Sequence, residues 1–172
     1  MGLKVALACD HAGFSLKEAI KAFLSAGEAV PGAEVTDLGT FSDAPVDYPD
    51  TGVLAAEGVA RGRFDRAVLV CGTGIGMCMV ANKVPGVRAA LCHDEFSARA
   101  SRQHNDANVL TLGARVVGAG LALEVVRAWL ATGFEGGRHA RRLEKLRRIE
   151  ERYAREAGKE NPGGREDGGG GR

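Results

Sequence analysis

The part of this chain best suited to chemistry is a cysteine set among glycines. Residues 66–83 read R-A-V-L-V-C-G-T-G-I-G-M-C-M-V-A-N-K. The apolar run Ala67 to Val70 is short and β-branched, the pattern of a buried parallel strand. Cys71 ends it, Gly72, Gly74 and Gly76 follow at alternate positions, and Met77 opens a helix-permissive run to Lys83. Such a strand, turn and helix start gather the backbone N–H groups of Gly72, Thr73, Gly74, Ile75 and Gly76 around one small space. Helix N-termini present unpaired donors and the positive end of a dipole, so that space is a seat for an anion. A thiol at its mouth is expected to favour its thiolate.

Other readings of the stretch compete. The glycines could simply make a tight strand-to-helix turn, with Cys71 a small buried apolar residue. A dinucleotide-binding turn is disfavoured by spacing, because G-x-G-x-x-G would need glycine where Met77 or Met79 stands. A P-loop would need a G-K-[ST] ending that is missing. The reading that uses every residue is a cysteine beside a nest of amides, suited to taking a proton and holding the oxyanion that results.

Further polar residues fall at the expected carboxyl ends of strands, where open α/β sheets place their ligands. Asp10-His11, Asp47-Tyr48 and His93-Asp94 join Cys71 to Gly76 as four such segments, and a fifth set, S-R-Q-H-N-D from Ser101 to Asp106, follows a helix. Each has a plain structural explanation. Asp10 and Asp94 can cap helices, His93 reads as a surface residue, His104 suits a helix C-terminus, and Arg115 suits a solvated turn. Gathered on one rim, they suit proton transfer next to a carbonyl on a phosphorylated substrate. Cys-His nucleophilic catalysis fits the same parts less well, because nothing marks a group to be transferred. The four histidines show no metal-ligand spacing, so a metal-dependent sugar isomerase or hydrolase is disfavoured.

The elements that must position these residues alternate along the chain. Strands are expected at Leu3 to Ala8, Ala33 to Leu38, Ala67 to Cys71, Val87 to Cys92 and Val109 to Leu112. Helices are expected at Ser15 to Leu24, Thr51 to Arg61 (started by Tyr48-Pro49-Asp50), Met77 to Lys83, Glu95 to Gln103 and Leu121 to Leu130. This alternation predicts an α/β fold, a Rossmann-like three-layer αβα sandwich around a five-stranded parallel sheet. From Gly136 a charged helix opens, with Leu143, Leu146, Ile149 and Tyr153 in one narrow apolar stripe. The sheet has helices enough for both faces, so this stripe is expected to dock on a second copy of the chain. The expected division is an α/β domain over 1–133, an arm helix over 134–157 within the same domain, and a disordered glycine-rich tail over 158–172.

The 172 residues allow one domain with a full core. A net charge of +1 gives no bias toward nucleic acid. The amino-terminal L-K-V-A-L-A-C reads as a strand rather than a signal peptide, and no apolar run reaches the ~18 residues of a membrane span. Four cysteines without a C-x-x-C pair point to a reduced, cytoplasmic setting.

Taken in order, C-D-H-A-G-F, D-Y-P, C-G-T-G-I-G-M, A-N-K, G-V-R-A, S-R-Q-H-N-D-A-N-V-L, G-A-R-V-V-G and F-E-G-G-R-H resemble the ribose-5-phosphate isomerase B group of the ribose/galactose isomerase family. The likeness runs from about Leu3 to Tyr153. It implies a cofactor-free and metal-free aldose–ketose isomerase of pentose phosphate metabolism, interconverting ribose 5-phosphate and ribulose 5-phosphate through a cis-enediolate. On that resemblance Cys71 matches the general base, and Thr73 with the amides of Gly72, Gly74, Ile75 and Gly76 holds the enediolate oxygen. His104 with Asp10 matches the ring-opening position. His11, Arg115, Arg138 and Arg142 match the phosphate set, and Tyr48 and Asn105 the sugar contacts. The family's site lies between two subunits, which implies a homodimer and leaves a tetramer open. One branch of the family uses a glutamate base where Met77 stands, so this chain resembles the cysteine type. Pocket length is not fixed by these residues, so a six-carbon or four-carbon sugar phosphate, or a site that binds without turnover, stays open.

Overall fold

The computed structural model describes residues 2–160, the side chains of 158–160 excepted. Five strands, β1 (Lys4–Cys9), β2 (Glu34–Asp37), β3 (Arg66–Cys71), β4 (Ala89–Leu91) and β5 (Val109–Gly113), form one parallel sheet in the order β2-β1-β3-β5-β4. Six helices join or follow them: α1 (Phe14–Ser25), α2 (Tyr48–Ala60), α3 (Ile75–Ala81), α4 (Glu95–Asn105), α5 (Ala119–Ala131) and α6 (Arg138–Glu160). The αβα sandwich expected from the alternation is the fold.

Strand side chains alternate between faces, and here each face has its own core. Val5, Leu7, Val68, Val70, Leu110 and Leu112 pack with Ile20, Phe23 and Trp129 from α1 and α5. Ala6, Ala8, Ala67, Leu69 and Cys71 point the other way, onto Ala55, Ala56 and Val59 of α2 and Met77 and Ala81 of α3. The second face is lined by small residues, which lets α2 and α3 lie close to the sheet. Cys71 therefore emerges from β3 on the α2–α3 side.

The observed elements shift a few of the expected boundaries. Strand β4 is only Ala89–Leu91, and the Arg88 N–H just before it donates to Asn108 Oδ1 instead of to a strand carbonyl. Helix α3 begins at Ile75 rather than Met77. His93, expected at the surface, is half-buried with its Nε2 enclosed, since extended backbone past β4 still turns alternate side chains to opposite faces. The chain falls into two compact units, with the break after Gly136. Helix α6 runs to Glu160, so residues 158–160 continue the helix rather than beginning the tail. The rest of the expected tail lies outside the described residues. No helix among the described residues is long and apolar enough to cross a membrane.

One ion-pair group ties α1 to the sheet edge. Lys17, fully buried, donates to Asp37 at the end of β2, and Lys21 donates to the same oxygen at 2.8 Å. Burial alone would raise the Asp37 carboxyl, but the bonds from Lys17 and Lys21 hold it below its ordinary value.

Candidate active site

The order of the sheet reverses between β1 and β3, so their carboxyl ends open a crevice of the kind that holds ligands in such folds. Cys9 pairs with Val70 across these strands, which puts the next residues, Asp10 and Cys71, side by side at the rim. Asp10 N–H donates to Val70 O at 3.2 Å, and its Oδ1 accepts from Gly13 N at 2.9 Å, capping a 3-10 turn (His11–Gly13). Asp10 thus caps the turn that leads into α1, while α1 itself starts from Gly13 without a side-chain cap.

Cys71 is 4% exposed, and Gly74 N–H donates to its Sγ at 3.1 Å. Gly74 makes this possible with φ +78°, and a Cβ there would lie 2.5 Å from Leu91 and 2.8 Å from the Leu112 carbonyl carbon. Thr73 Oγ1 accepts from Ile75 N–H at 3.3 Å, so the loop feeds α3 with a side-chain oxygen at its start. A Cβ on Gly76 would lie 2.9 Å from the Tyr48 ring, which places that ring over the start of α3. Arg115 N–H donates to Gly72 O at 3.0 Å, and the Arg115 side chain passes 3.6 Å from where a Gly72 Cβ would stand. His11 Nδ1 is 3.3 Å from both N and O of Val46, pinning the loop ahead of α2. One rim thus carries a sulfur, an amide loop, a carboxylate, an imidazole, a phenol and a guanidinium.

His104 and Asn105 are not on that rim, and here the expectation of a single rim is corrected. A helix joining two parallel strands runs back against them, so the end of α4 reaches the amino edge of the sheet. Ala67 N–H donates to Asn108 O at 3.1 Å, and Ala67 pairs with Val109, whereas Cys71 pairs with Gly113. At ~3.3 Å per residue, roughly 13 Å of strand separates the two edges. Asp94, by contrast, does what its capping reading says, accepting from Ser97 N and Oγ at 2.7 and 2.8 Å. Those Ser97 bonds hold its carboxyl below the ordinary value.

Arg138 and Arg142 stand one turn apart on α6, and Arg138 Nε donates to His139 Nε2 at 3.2 Å. The stripe residues Leu146, Ile149 and Tyr153 are about half exposed.

A sequence model of the Ribose/Galactose Isomerase family matches residues 5–146. The chain belongs to the ribose/galactose isomerase family. It is 48% identical over 149 residues to ribose-5-phosphate isomerase B of Escherichia coli, covering 87% of this chain and 97% of that protein. It is 44% identical over 146 residues to D-erythrulose-4-phosphate isomerase of Pectobacterium atrosepticum, covering 84% and 93%. The structure of Clostridium thermocellum ribose-5-phosphate isomerase B superposes with a TM-score of 0.84 at 50% identity, covering 88% and 99%. As a member of this family the chain is an aldose–ketose isomerase acting on a sugar phosphate.

Two features of the site escaped sequence reasoning. Val46 as the anchor of His11 carries no local signal, because the contact spans 35 residues. The arginine–aspartate group at the end of α4, described below, was signalled only by an aspartate where a helix end commonly has glycine.

Proposed function

We propose that this enzyme interconverts ribose 5-phosphate and ribulose 5-phosphate through a cis-enediolate, with Cys71 as the base. The thiolate takes the C2 proton of the open-chain aldose. The C2–H electron pair becomes the C1=C2 bond, and the charge moves to the former carbonyl oxygen. The O2 hydroxyl proton passes to O1, the C1=C2 electron pair takes the proton back from the thiol at C1, and the O2 electron pair closes the carbonyl at C2. Preformed donors for such an oxyanion are worth roughly 3–4 kcal/mol each, and Thr73 with the amides of Gly72, Gly74, Ile75 and Gly76 takes that role. The observation that carries this reading is the Gly74 N–H aimed at the Cys71 sulfur at 3.1 Å, beside Asp10 at the sheet's switch point.

His104, with Asp10, opens the furanose ring. Asn105 and Tyr48 contact the sugar, and His11, Arg115, Arg138 and Arg142 bind the phosphate, for which guanidinium forks are well shaped. Phosphate binding supplies energy away from the reacting carbons and orients them. The separation of His104 from Cys71 within one chain supports a site assembled from two copies, each lending its α4 end to the other's rim. The exposed stripe on α6 supports the same homodimer. A cytoplasmic place in pentose phosphate metabolism accords with four free thiols and this substrate.

The 44% identical relative named for a four-carbon substrate makes sugar length the decisive measurement. Steady-state rates on tetrose, pentose and hexose phosphates, with and without a chelator, are expected to give the highest kcat/KM for ribose 5-phosphate and no chelator effect. A higher value for a shorter or longer sugar would overturn the substrate assignment. Binding without any exchange of solvent deuterium would leave a sugar-phosphate binding protein instead.

A further inference from the structure

The residues around Arg88 and Asp106 take no part in the chemistry above, yet they converge on the last turn of α4. Asp106 closes that helix with φ 45° and ψ 45°, and is the one non-glycine residue with positive φ among the described residues. A left-handed residue at this place is usually glycine, because a Cβ is strained there. The aspartate side chain explains the exception. Its Oδ1 accepts from Arg102 Nη1 at 2.7 Å and its Oδ2 from Arg88 Nη2 at 2.9 Å.

Arg88 also spans the helix end. Its Nε donates to the carbonyls of Asn105 and Asp106, each at 3.0 Å, and its Nη2 to Asp106 O at 2.9 Å. Helix ends leave such carbonyls unpaired, and a cation is favoured beside them. Arg88 is itself held by the Asn108 side chain, its backbone N–H donating to Asn108 Oδ1 at 2.8 Å. Arg102, with its side chain 4% exposed, donates further to Ala107 O at 2.7 Å. The entry to β4, the end of α4 and the entry to β5 are thereby linked around His104 and Asn105. Three acceptors at one helix end match a guanidinium fork and exceed what a single ammonium can reach with fixed geometry.

We propose that Arg88 and Asp106 are positioning residues for opening the sugar ring, holding the last turn of α4 so that His104 and Asn105 meet the cyclic aldose in register. This rests on the reading of His104 as the ring-opening group. The two substrates separate that step from the rest of the reaction. Ribose 5-phosphate is cyclic in solution, whereas ribulose 5-phosphate cannot form a furanose, because the oxygen required carries the phosphate. Exchange of the ketose C1 hydrogen with solvent therefore needs the base and the oxyanion seat but no ring opening.

The test compares Arg88→Ala, Arg88→Lys and His104→Ala with the parent enzyme in two assays: conversion of ribose 5-phosphate, and exchange of the ribulose 5-phosphate C1 hydrogen in D2O. The Arg88 side chain is 30% exposed, so its removal strands no deeply buried charge at position 88. Misplacing a group by about 1 Å can cost on the order of 100-fold. Arg88→Ala is expected to slow aldose conversion roughly 10- to 100-fold while ketose exchange stays within about twofold, and lysine is expected to recover little of the loss. A merely structural role would lower both rates together. Parallel loss in both assays, or loss in neither, overturns the proposal. Should His104→Ala show the split and Arg88→Ala not, the positioning role alone falls. Should His104→Ala show no split, the ring-opening assignment falls first and this proposal with it.

Discussion

Four thiols share this chain, and their surroundings divide them. Burial pushes Cys9 up to about 11, against a smaller opposing effect from Lys17, and burial likewise pushes Cys92 up to about 11. Both stay protonated at neutral pH and are inert as nucleophiles. Cys71 alone receives a backbone N–H from a glycine loop at the sheet's crevice. Iodoacetamide is therefore expected to remove activity by labelling Cys71, more slowly with ribose 5-phosphate present, while Cys9 and Cys92 remain unlabelled until the protein unfolds. Peptide mass spectrometry against residual activity checks this, and early labelling of Cys9 or Cys92 with activity intact would contradict it. At this scale Cys71, Thr73, Gly74 and Asp10 could be read from sequence, because their relation is local or set by the first residue past a strand. The His11–Val46 and Arg88–Asp106 contacts could not, since separations of 35 and 18 residues leave no spacing to read.

Among the elements, β2 and α1 carry the clearest physical dependence on pH. The buried Lys17 ammonium relies on Asp37, whose side chain is itself 8% exposed. Removing one member of a buried pair typically costs about 3–5 kcal/mol, so Asp37→Asn is expected to lower the urea midpoint clearly at pH 7. Because the folded carboxyl lies below its ordinary value, its contribution is full above the unfolded value of about 3.9 and is lost as pH falls through the folded value. The gap between parent and variant should close below about pH 4; a gap constant down to pH 2 would show that charge is not the reason. Long amphipathic helices and β-branched runs were legible as elements, for periodicity is a property of neighbours. The order β2-β1-β3-β5-β4 was not, because β4 is three residues long and nothing local says that it passes β5 to the edge.

For the whole molecule, the alternation of strands and helices carried the architecture, whereas the placement of His104 at the amino edge had to come from the return direction of α4. A residue list that reads as one rim is thus split between two edges of one sheet. That division has an arithmetic consequence for mixtures. On the proposed two-copy site, a copy lacking the sulfur (Cys71→Ala) and a copy lacking the imidazole (His104→Ala) would each be silent alone, yet a mixed pair would hold one crevice with both groups intact. Co-refolding equal amounts, with random pairing in a twofold dimer, should restore roughly a quarter of the parent activity. Two crippled polypeptides would then repair each other, and a mixture as silent as its components would mean that every copy works for itself.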